Sequence, residues 1–262
     1  MSEVAEEPPA TGSLDSANTG HREVFSLLVL GIETSTPQAS VAIGSEQGVV
    51  ASAMVSRGAS YNEFLLPAIR FCLDEAGLGY RNLGGIAAGL GPGLFTGMRV
   101  GVATAKALAQ TLNLPIVGIA SLDLVAYEVR YSPKVICACL DARRDEVFFA
   151  FYRSSPGGIQ RLGEYQLARP EHLAARIASG TDDVLLVGNG ALLYREVFED
   201  HGPGIEIGTM SHAFPDARAL VELSLPRMFR EDFDPLYELK PLYLRRSAKR
   251  IEWERIRGRR SA

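Results

Sequence analysis

The chain has 262 residues, 47% hydrophobic and 22% charged, with a formal net charge of -4. That composition supports a sizeable core in one large or two small domains, and the acidic balance argues against a surface given over wholly to nucleic acid. Cys72, Cys137 and Cys139 are too few and too unevenly spaced for a disulfide framework or a metal knuckle. No apolar run is long enough to span a membrane. The N-terminus lacks the basic and apolar regions of a secretory signal. A reduced, cytoplasmic setting is the expectation.

Residues 1–23 are rich in Ser, Ala, Pro and Glu and hold almost no large apolar side chain, so a disordered tail is expected. From residue 24 the pattern becomes that of an α/β unit. Residues 25–34 (FSLLVLGIET), 39–44 (ASVAIG) and 49–56 read as three strands of a meander. A helix follows over 62–76, stopped by Gly77 and Gly79. Pro67 fits that helix if the true start is near Leu65 or Leu66. Residues 84–90 (GGIAAGL) form a fourth strand, 98–113 a helix rich in Gly and Ala, and 114–118 a short strand. Ser121 is read as the cap of a helix reaching about residue 130, with Asp123 and Glu128 on its polar side. These elements make a first lobe, 24–130.

The rhythm then repeats over 131–234. Two strands within 134–153 are joined by a polar turn at 141–145, and 161–168 is a third strand. A helix over 170–179, a strand over 184–190, a helix over 192–201 and a helix over 216–229, interrupted or ended near Pro226, complete a second, abridged copy. The similarity lies in element order, without a residue-level repeat. Cys137 and Cys139 alternate in an apolar run and so share one strand face. Residues 235–262 read as an extended closing segment followed by a basic tail that contains Trp253.

Three stretches could carry chemistry. The first is Gly89-Leu90-Gly91-Pro92-Gly93-Leu94-Phe95-Thr96-Gly97, between a strand and a helix. It lacks the Lys-Ser or Lys-Thr of a Walker A loop and the spacing of G-x-G-x-x-G. Either its amides cradle a phosphate at the helix N-terminus, or its glycines permit a sharp turn and close packing. The second is Glu33-Thr34-Ser35, at a hairpin turn. These side chains either hold a metal or nucleotide phosphates, or satisfy the turn backbone. The third is Val187-Gly188-Asn189-Gly190-Ala191, where a strand ending in glycines before a helix either takes an adenosine moiety or, with too few glycines for a nucleotide platform, is a plain strand-to-helix turn, the reading preferred here. His21, His172, His201 and His212 have no metal-site spacing, and no serine sits in a G-x-S-x-G elbow. Basic residues crowd the C-terminal end, where phosphate contact competes with simple solvation.

Ile32-Glu33-Thr34-Ser35, the Leu65-Leu66-Pro67 helix, the run Gly91-Pro92-Gly93-Leu94-Phe95-Thr96-Gly97-Met98-Arg99-Val100-Gly101 and the late Pro241-Leu242-Tyr243-Leu244-Arg245 together resemble the TsaB (YeaZ) family. TsaB is the paralogue of the catalytic subunit TsaD. TsaD-type chains carry a His-x-x-x-His pair on the helix after the third strand; here that helix begins Tyr61-Asn62-Glu63-Phe64-Leu65-Leu66. The resemblance implies a two-lobed actin-like ATPase fold (the Hsp70/sugar-kinase, RNase H-like class). It implies a non-catalytic scaffold or activator, with no metal of its own and with ATP or ADP only at a complex interface. That complex transfers a threonylcarbamoyl group to N6 of adenosine 37 in tRNAs reading ANN codons. The implied partners are TsaD, the ATPase TsaE, a second copy in isolation, and tRNA only through the complex, without a membrane. The implied partner surface is built from the first-lobe helices, with Asn62, Leu65, Leu66, Ile69, Leu73, Arg99, Val102 and Lys106 as its residues. Thr34, Ser35, Gly91, Gly93, Thr96 and Gly97 are the residues expected to touch a nucleotide.

Two rival readings remain. One is an active ATP-dependent kinase or ATPase of the same superfold, for which Asp141 and Asp145 are the candidate acids of the second hairpin. The other is a metalloprotease, a label sometimes attached to this family, for which the sequence offers no ligand set.

Overall fold

The computed structural model describes residues 27–56, 61–202 and 204–244. The tail expected over 1–23 and the basic end beyond residue 244 lie outside the described residues.

The first unit opens with β1 (Val29–Glu33), β2 (Ala39–Ser45) and β3 (Gly48–Val55), followed by α1 (Tyr61–Glu75), β4 (Gly85–Gly89), α2 (Phe95–Leu112), β5 (Ile116–Ile119) and α3 (Ser121–Glu128). The second has β6 (Val135–Asp141), β7 (Val147–Ser155), β8 (Gly158–Ala168), α4 (Pro170–Ala178), β9 (Val184–Val187), the short α5 (Asn189–Leu193) and α6 (Arg195–Glu199), β10 (Ile205–Ile207) and α7 (Ala217–Phe229). The sheet orders are β3-β2-β1-β4-β5 and β10-β9-β6-β7-β8. Read from β8, the second order repeats the first. Pairing directions repeat as well: two antiparallel pairs, then two parallel ones, in each sheet. The duplication seen in element order is therefore a duplication of topology. The second copy is abridged in its helices, with nine residues in α4 against 15 in α1, and two five-residue helices in place of the 18-residue α2.

Strand alternation explains the layers. On one face of the first sheet Leu30, Ile32, Val41 and Ile43 pack with Leu65, Ile69 and Leu73 of α1 and Val102 and Ala105 of α2. On the other face Val29, Ala42, Ala87 and Val117 pack with Leu220 and Val221 of α7. With both faces covered, β1 is an uninterrupted buried run. The second sheet likewise splits Cys137 and Cys139, with Phe149 and Leu186, from Ile136, Ala138 and Leu140, which pack with Leu122, Val125 and Ala126 of α3. The two cysteines do share one face.

The closing helices are exchanged. α3 ends the first unit in sequence yet packs on β6, β7 and β8; α7 ends the second yet packs on β1, β2, β4 and β5. The sequence grouping of 131–234 as one lobe is corrected accordingly: residues 217–229 belong to the first core, because their apolar side chains fill the second face of the first sheet.

Several boundaries shift. β1 starts at Val29 rather than near residue 25. Pro67 lies inside α1, six residues beyond Tyr61, rather than at its start. α2 begins at Phe95, so Thr96 and Gly97 are in its first turn, and it ends on Asn113 in the left-handed region (φ 54°). The helix expected over 192–201 is broken at Tyr194. α7 continues through Pro226 to Phe229, capped by the Asp216 carboxylate, which accepts from the Arg218 amide at 2.7 Å.

Beyond α7 the chain seals the free edge of β5. The Asp234 amide donates to the Ile116 carbonyl at 2.9 Å, the Gly118 amide donates to Asp234 Oδ2 at 2.7 Å, and Arg227 Nη1 donates to the Gly118 carbonyl at 3.2 Å. No helix among the described residues is long and apolar enough to cross a membrane.

Candidate functional site

The glycine-rich loop after β4 is packed shut against the turn after β1. Thr34 Oγ1 donates to the Gly97 carbonyl at 2.8 Å, the Leu94 amide donates to the Ser35 carbonyl at 2.6 Å, and Tyr61 Oη donates to the Thr36 carbonyl at 2.8 Å. A Cβ on Gly93 would lie 2.0 Å from the Ser35 carbonyl oxygen, and one on Gly97 2.0 Å from that of Thr34. Glycine is thus required here for close backbone approach. Thr34 and Ser35 are fully buried, Gly91 and Gly97 are buried, and Gly93 is half-buried. Of the six residues expected to touch a nucleotide, only Thr96 is exposed. The structure brings the six together, but as a packed seam rather than an open cradle. The Thr34 hydroxyl is spent on the Gly97 carbonyl, while the Ser35 hydroxyl is buried without a hydrogen-bond partner.

Beneath the seam sits Glu33, wholly buried. Its Oε1 accepts the Ser35 amide at 2.6 Å and its Oε2 accepts the Ser121 hydroxyl at 2.8 Å; the Gly91 amide donates to Ser121 Oγ at 3.1 Å. Burial raises the Glu33 carboxyl above its ordinary range, opposed by the hydrogen bonds from Ser35 and Ser121. Ser121 is therefore not a helix cap: Ala120 holds that position, and the serine ties α3 to β1 and to the loop. Asp123 is not on an open polar face either. It accepts hydrogen bonds from Tyr152 and Tyr165 at 2.8 Å, and burial lifts its carboxyl too. It lies at one wall of a groove of about 620 Å³ between the lobes, lined also by Leu90, Ile119, Tyr165 and Leu242.

The second lobe repeats the arrangement in smaller form. Gly188, at φ 108°, stands where a Cβ would lie 2.1 Å from the Cys139 carbonyl oxygen. Asp141 at the end of β6 accepts the Arg143 amide at 2.8 Å and pairs with its guanidinium at 3.2 Å, while its own amide donates to Asn189. Asp145 is exposed on the same turn. Among the described residues no group of three or more His, Cys, Asp or Glu is placed to hold a metal.

The residues expected at a partner surface divide sharply. Leu65, Ile69, Leu73 and Val102 are at most 3% exposed and form the first core. They are corrected to core residues, because the apolar stripe of each helix faces the sheet. Asn62 and Leu66 are exposed, as are Phe71 on α1 and Ala103 and Ala107 on α2. Arg99 lies 3.8 Å over the Phe95 ring and its Nε donates to Tyr243 Oη at 3.0 Å; Lys106 Nζ donates to the Leu239 carbonyl at 2.9 Å. Both cations thus hold the closing segment against α2. The sequence signal for that contact was the spacing of Leu236, Leu239 and Leu242. The links from Glu33 to Ser121 and from Asp123 to two tyrosines join residues 29 to 88 positions apart and had no local signal.

Two copies of one α/β unit, with exchanged helices and a glycine turn set against the end of each leading strand, define a protein of the actin-like, RNase H-like fold. The model of the family "TsaD: tRNA N6-adenosine threonylcarbamoyltransferase" matches residues 45–253. The chain is 30% identical to the tRNA threonylcarbamoyladenosine biosynthesis protein TsaB of Haemophilus influenzae over 89% of its own length and 98% of that protein. It is 26% identical to the protein of the same name from Escherichia coli, over 88% and 99%. The solved YeaZ of Pseudomonas aeruginosa superposes with a TM-score of 0.73 at 28% identity, covering 83% of this chain and all of that one. The chain belongs to the TsaB (YeaZ) family, within the wider TsaD-type fold.

Proposed function

We propose that this chain is a non-catalytic subunit in tRNA threonylcarbamoyladenosine biosynthesis, acting by docking to a TsaD-like enzyme through the outward faces of α1 and α2. The relatives' names support the pathway. The observation that carries the subunit reading is the closed seam. The loop that would hold phosphate is filled by the chain's own turn, with Thr34 and Ser35 buried against Gly93 and Gly97. The neighbouring helices instead present apolar surface, with Leu66 and Phe71 each more than half exposed. Small side chains at Ala103 and Ala107 on α2 allow another helix to approach closely. The docked complex carries the chemistry, TsaE joins through it, and any ATP or ADP and the tRNA are met there.

The test is co-purification with the cognate TsaD, read beside threonylcarbamoyladenosine in tRNA from cells lacking this chain. Leu66→Ala with Phe71→Ala leaves the isolated chain folded and abolishes the complex and the modification. Ile69→Ala instead lowers stability by about 2–5 kcal/mol, as a core truncation does. Normal modification without this chain would overturn the reading. ATP turnover by the isolated chain would favour the rival kinase or ATPase.

A further inference from the structure

The groove of about 620 Å³ between the lobes is bounded by the ends of β4 and β5, the start of α3, Tyr165 on β8 and the closing segment. That volume is in the range of small-molecule sites, which are mostly apolar with a few placed polar groups. Its lining includes no residue of α1 or α2, none of the six residues expected at a nucleotide, and neither Asp141 nor Asp145. The groove is therefore separate from the docking faces and from the glycine seam.

Leu90, Ile119, Ala120, Pro241 and Leu242 give it apolar walls. Its three charged groups differ in how far they are already committed. Arg227 is spent: its Nε donates to Asp232 at 2.9 Å, and its Nη1 donates to the Gly118 carbonyl and to Asp234, each at 3.2 Å. Asp123 is half-buried and its carboxylate is fixed in place. Its Oδ1 accepts the Tyr152 hydroxyl at 2.8 Å, and the Tyr165 hydroxyl lies 2.9 Å from Oδ1 and 2.8 Å from Oδ2. Arg161 lies 3.8 Å over the Tyr165 ring and holds it. A carboxylate offers about four lone-pair positions, so two hydroxyls leave it able to accept a donor from the groove. Lys240 is exposed at the rim, and its ammonium has no ion pair or hydrogen bond among the described residues. A fixed carboxylate and an uncommitted ammonium therefore border one apolar groove without being paired to each other.

We propose that this groove binds a free amino acid with a large apolar side chain, its α-ammonium on Asp123, its carboxylate at Lys240 and its side chain against Leu90, Ile119 and Leu242. An ammonium on the carboxylate makes a charge-assisted hydrogen bond. The four-carbon stem of lysine lets its ammonium reach a carboxylate on the same ligand carbon. Other ligand classes fit worse. A phosphate would be repelled by Asp123, and an apolar molecule without a donor would bury the carboxylate's free lone pairs unpaired.

The experiment is titration of the full chain with three probes, read from the Gly118 and Ile119 amides by two-dimensional NMR. L-Phenylalanine carries both charged groups, hydrocinnamate lacks the amine and phenethylamine lacks the carboxylate. L-Phenylalanine shifts both amides, and hydrocinnamate binds about ten-fold more weakly or worse. Phenethylamine loses less, because Lys240 is exposed. Asp123→Asn abolishes the preference for L-phenylalanine over hydrocinnamate, and Lys240→Ala abolishes its preference over phenethylamine. No shift with L-phenylalanine up to its solubility limit, hydrocinnamate binding as tightly, or either variant keeping the preference it should lose overturns the inference. Circular dichroism establishes that each variant is folded. Lys240→Ala removes only an exposed side chain, so it and the probe series decide the matter even where Asp123→Asn unfolds the chain.

Discussion

Gly101→Ala tests whether the loop and α2 are locked to the first turn as described. Gly101 is in the interior of α2, where glycine normally costs about 1 kcal/mol relative to alanine. On propensity alone the substitution stabilises. In this structure the new Cβ would lie 2.1 Å from Thr34 Oγ1, a hydroxyl on a residue 1% exposed that donates to the Gly97 carbonyl at 2.8 Å. Relief requires the hydroxyl to rotate away, leaving it buried and unpaired at about 1–3 kcal/mol. Set against the helix gain, the net is a loss of up to about 2 kcal/mol. In a Thr34→Ala background the nearest remaining atom is the residue 34 Cβ, 3.4 Å away, and the conflict disappears. There Gly101→Ala should be neutral or stabilising, giving a coupling of about 1–3 kcal/mol in the double-mutant cycle. Urea unfolding of the four proteins measures it. A Gly101→Ala variant more stable than wild type, or strictly additive effects, would refute the packing argument.

Two further outcomes follow from groups that only the fold assembles. The Glu128 carboxyl is pushed up to about 8 from 4.5, first by burial and next by the Asp216 carboxylate, with Arg218 pulling the other way. The folded chain thus holds a proton between pH 4.5 and about 8 that the unfolded chain has released, so stability falls as pH rises through that window and then levels. Glu128→Gln should remove about 1–2 kcal/mol of this slope in thermal unfolding at pH 5 and pH 8.5; parallel curves for the two proteins would contradict the assignment. Asp234→Ala strips the acceptor from the Gly118 amide and from Arg227, at a cost of about 1–2 kcal/mol. Hydrogen exchange at the Gly118 amide should accelerate, and an unchanged rate would mean the β5 edge is held by something else.

Much of the architecture was legible in the chain. Alternating and continuous apolar runs placed β1 to β9 to within a few residues, because a strand's burial pattern repeats every two residues; the three-residue β10 is too short to show such a run and was not read. The GPGLFTGMRVG run carried the family, because glycines at Gly93 and Gly97 are demanded by backbone contacts that tolerate no Cβ. Where periodicity was read correctly but direction was not, the site reading failed. Leu65, Ile69 and Leu73 form one helical stripe in sequence, and nothing local says whether a stripe faces a sheet or a partner. Asp123 and Glu128 looked solvated because their own helix is amphipathic. Asp123 is half-buried because α3 lies against the other unit's sheet, and Glu128 faces Asp216 and Arg218 at the start of α7.

The sequence by itself determined that two similar α/β units follow one another, and that a glycine-dense loop meets a helix N-terminus after the fourth strand. Only the tertiary structure decided what those features do. It exchanged α3 and α7 between the cores, turned Glu33 inward onto Ser121, and filled the loop with the Thr34–Ser35 turn. The reason is range. Strand and helix periodicity and turn chemistry act over a few residues and are written locally. Whether a loop is an open cradle or a packed seam depends on contacts such as Thr34 to Gly97, 63 residues apart, which no local pattern encodes.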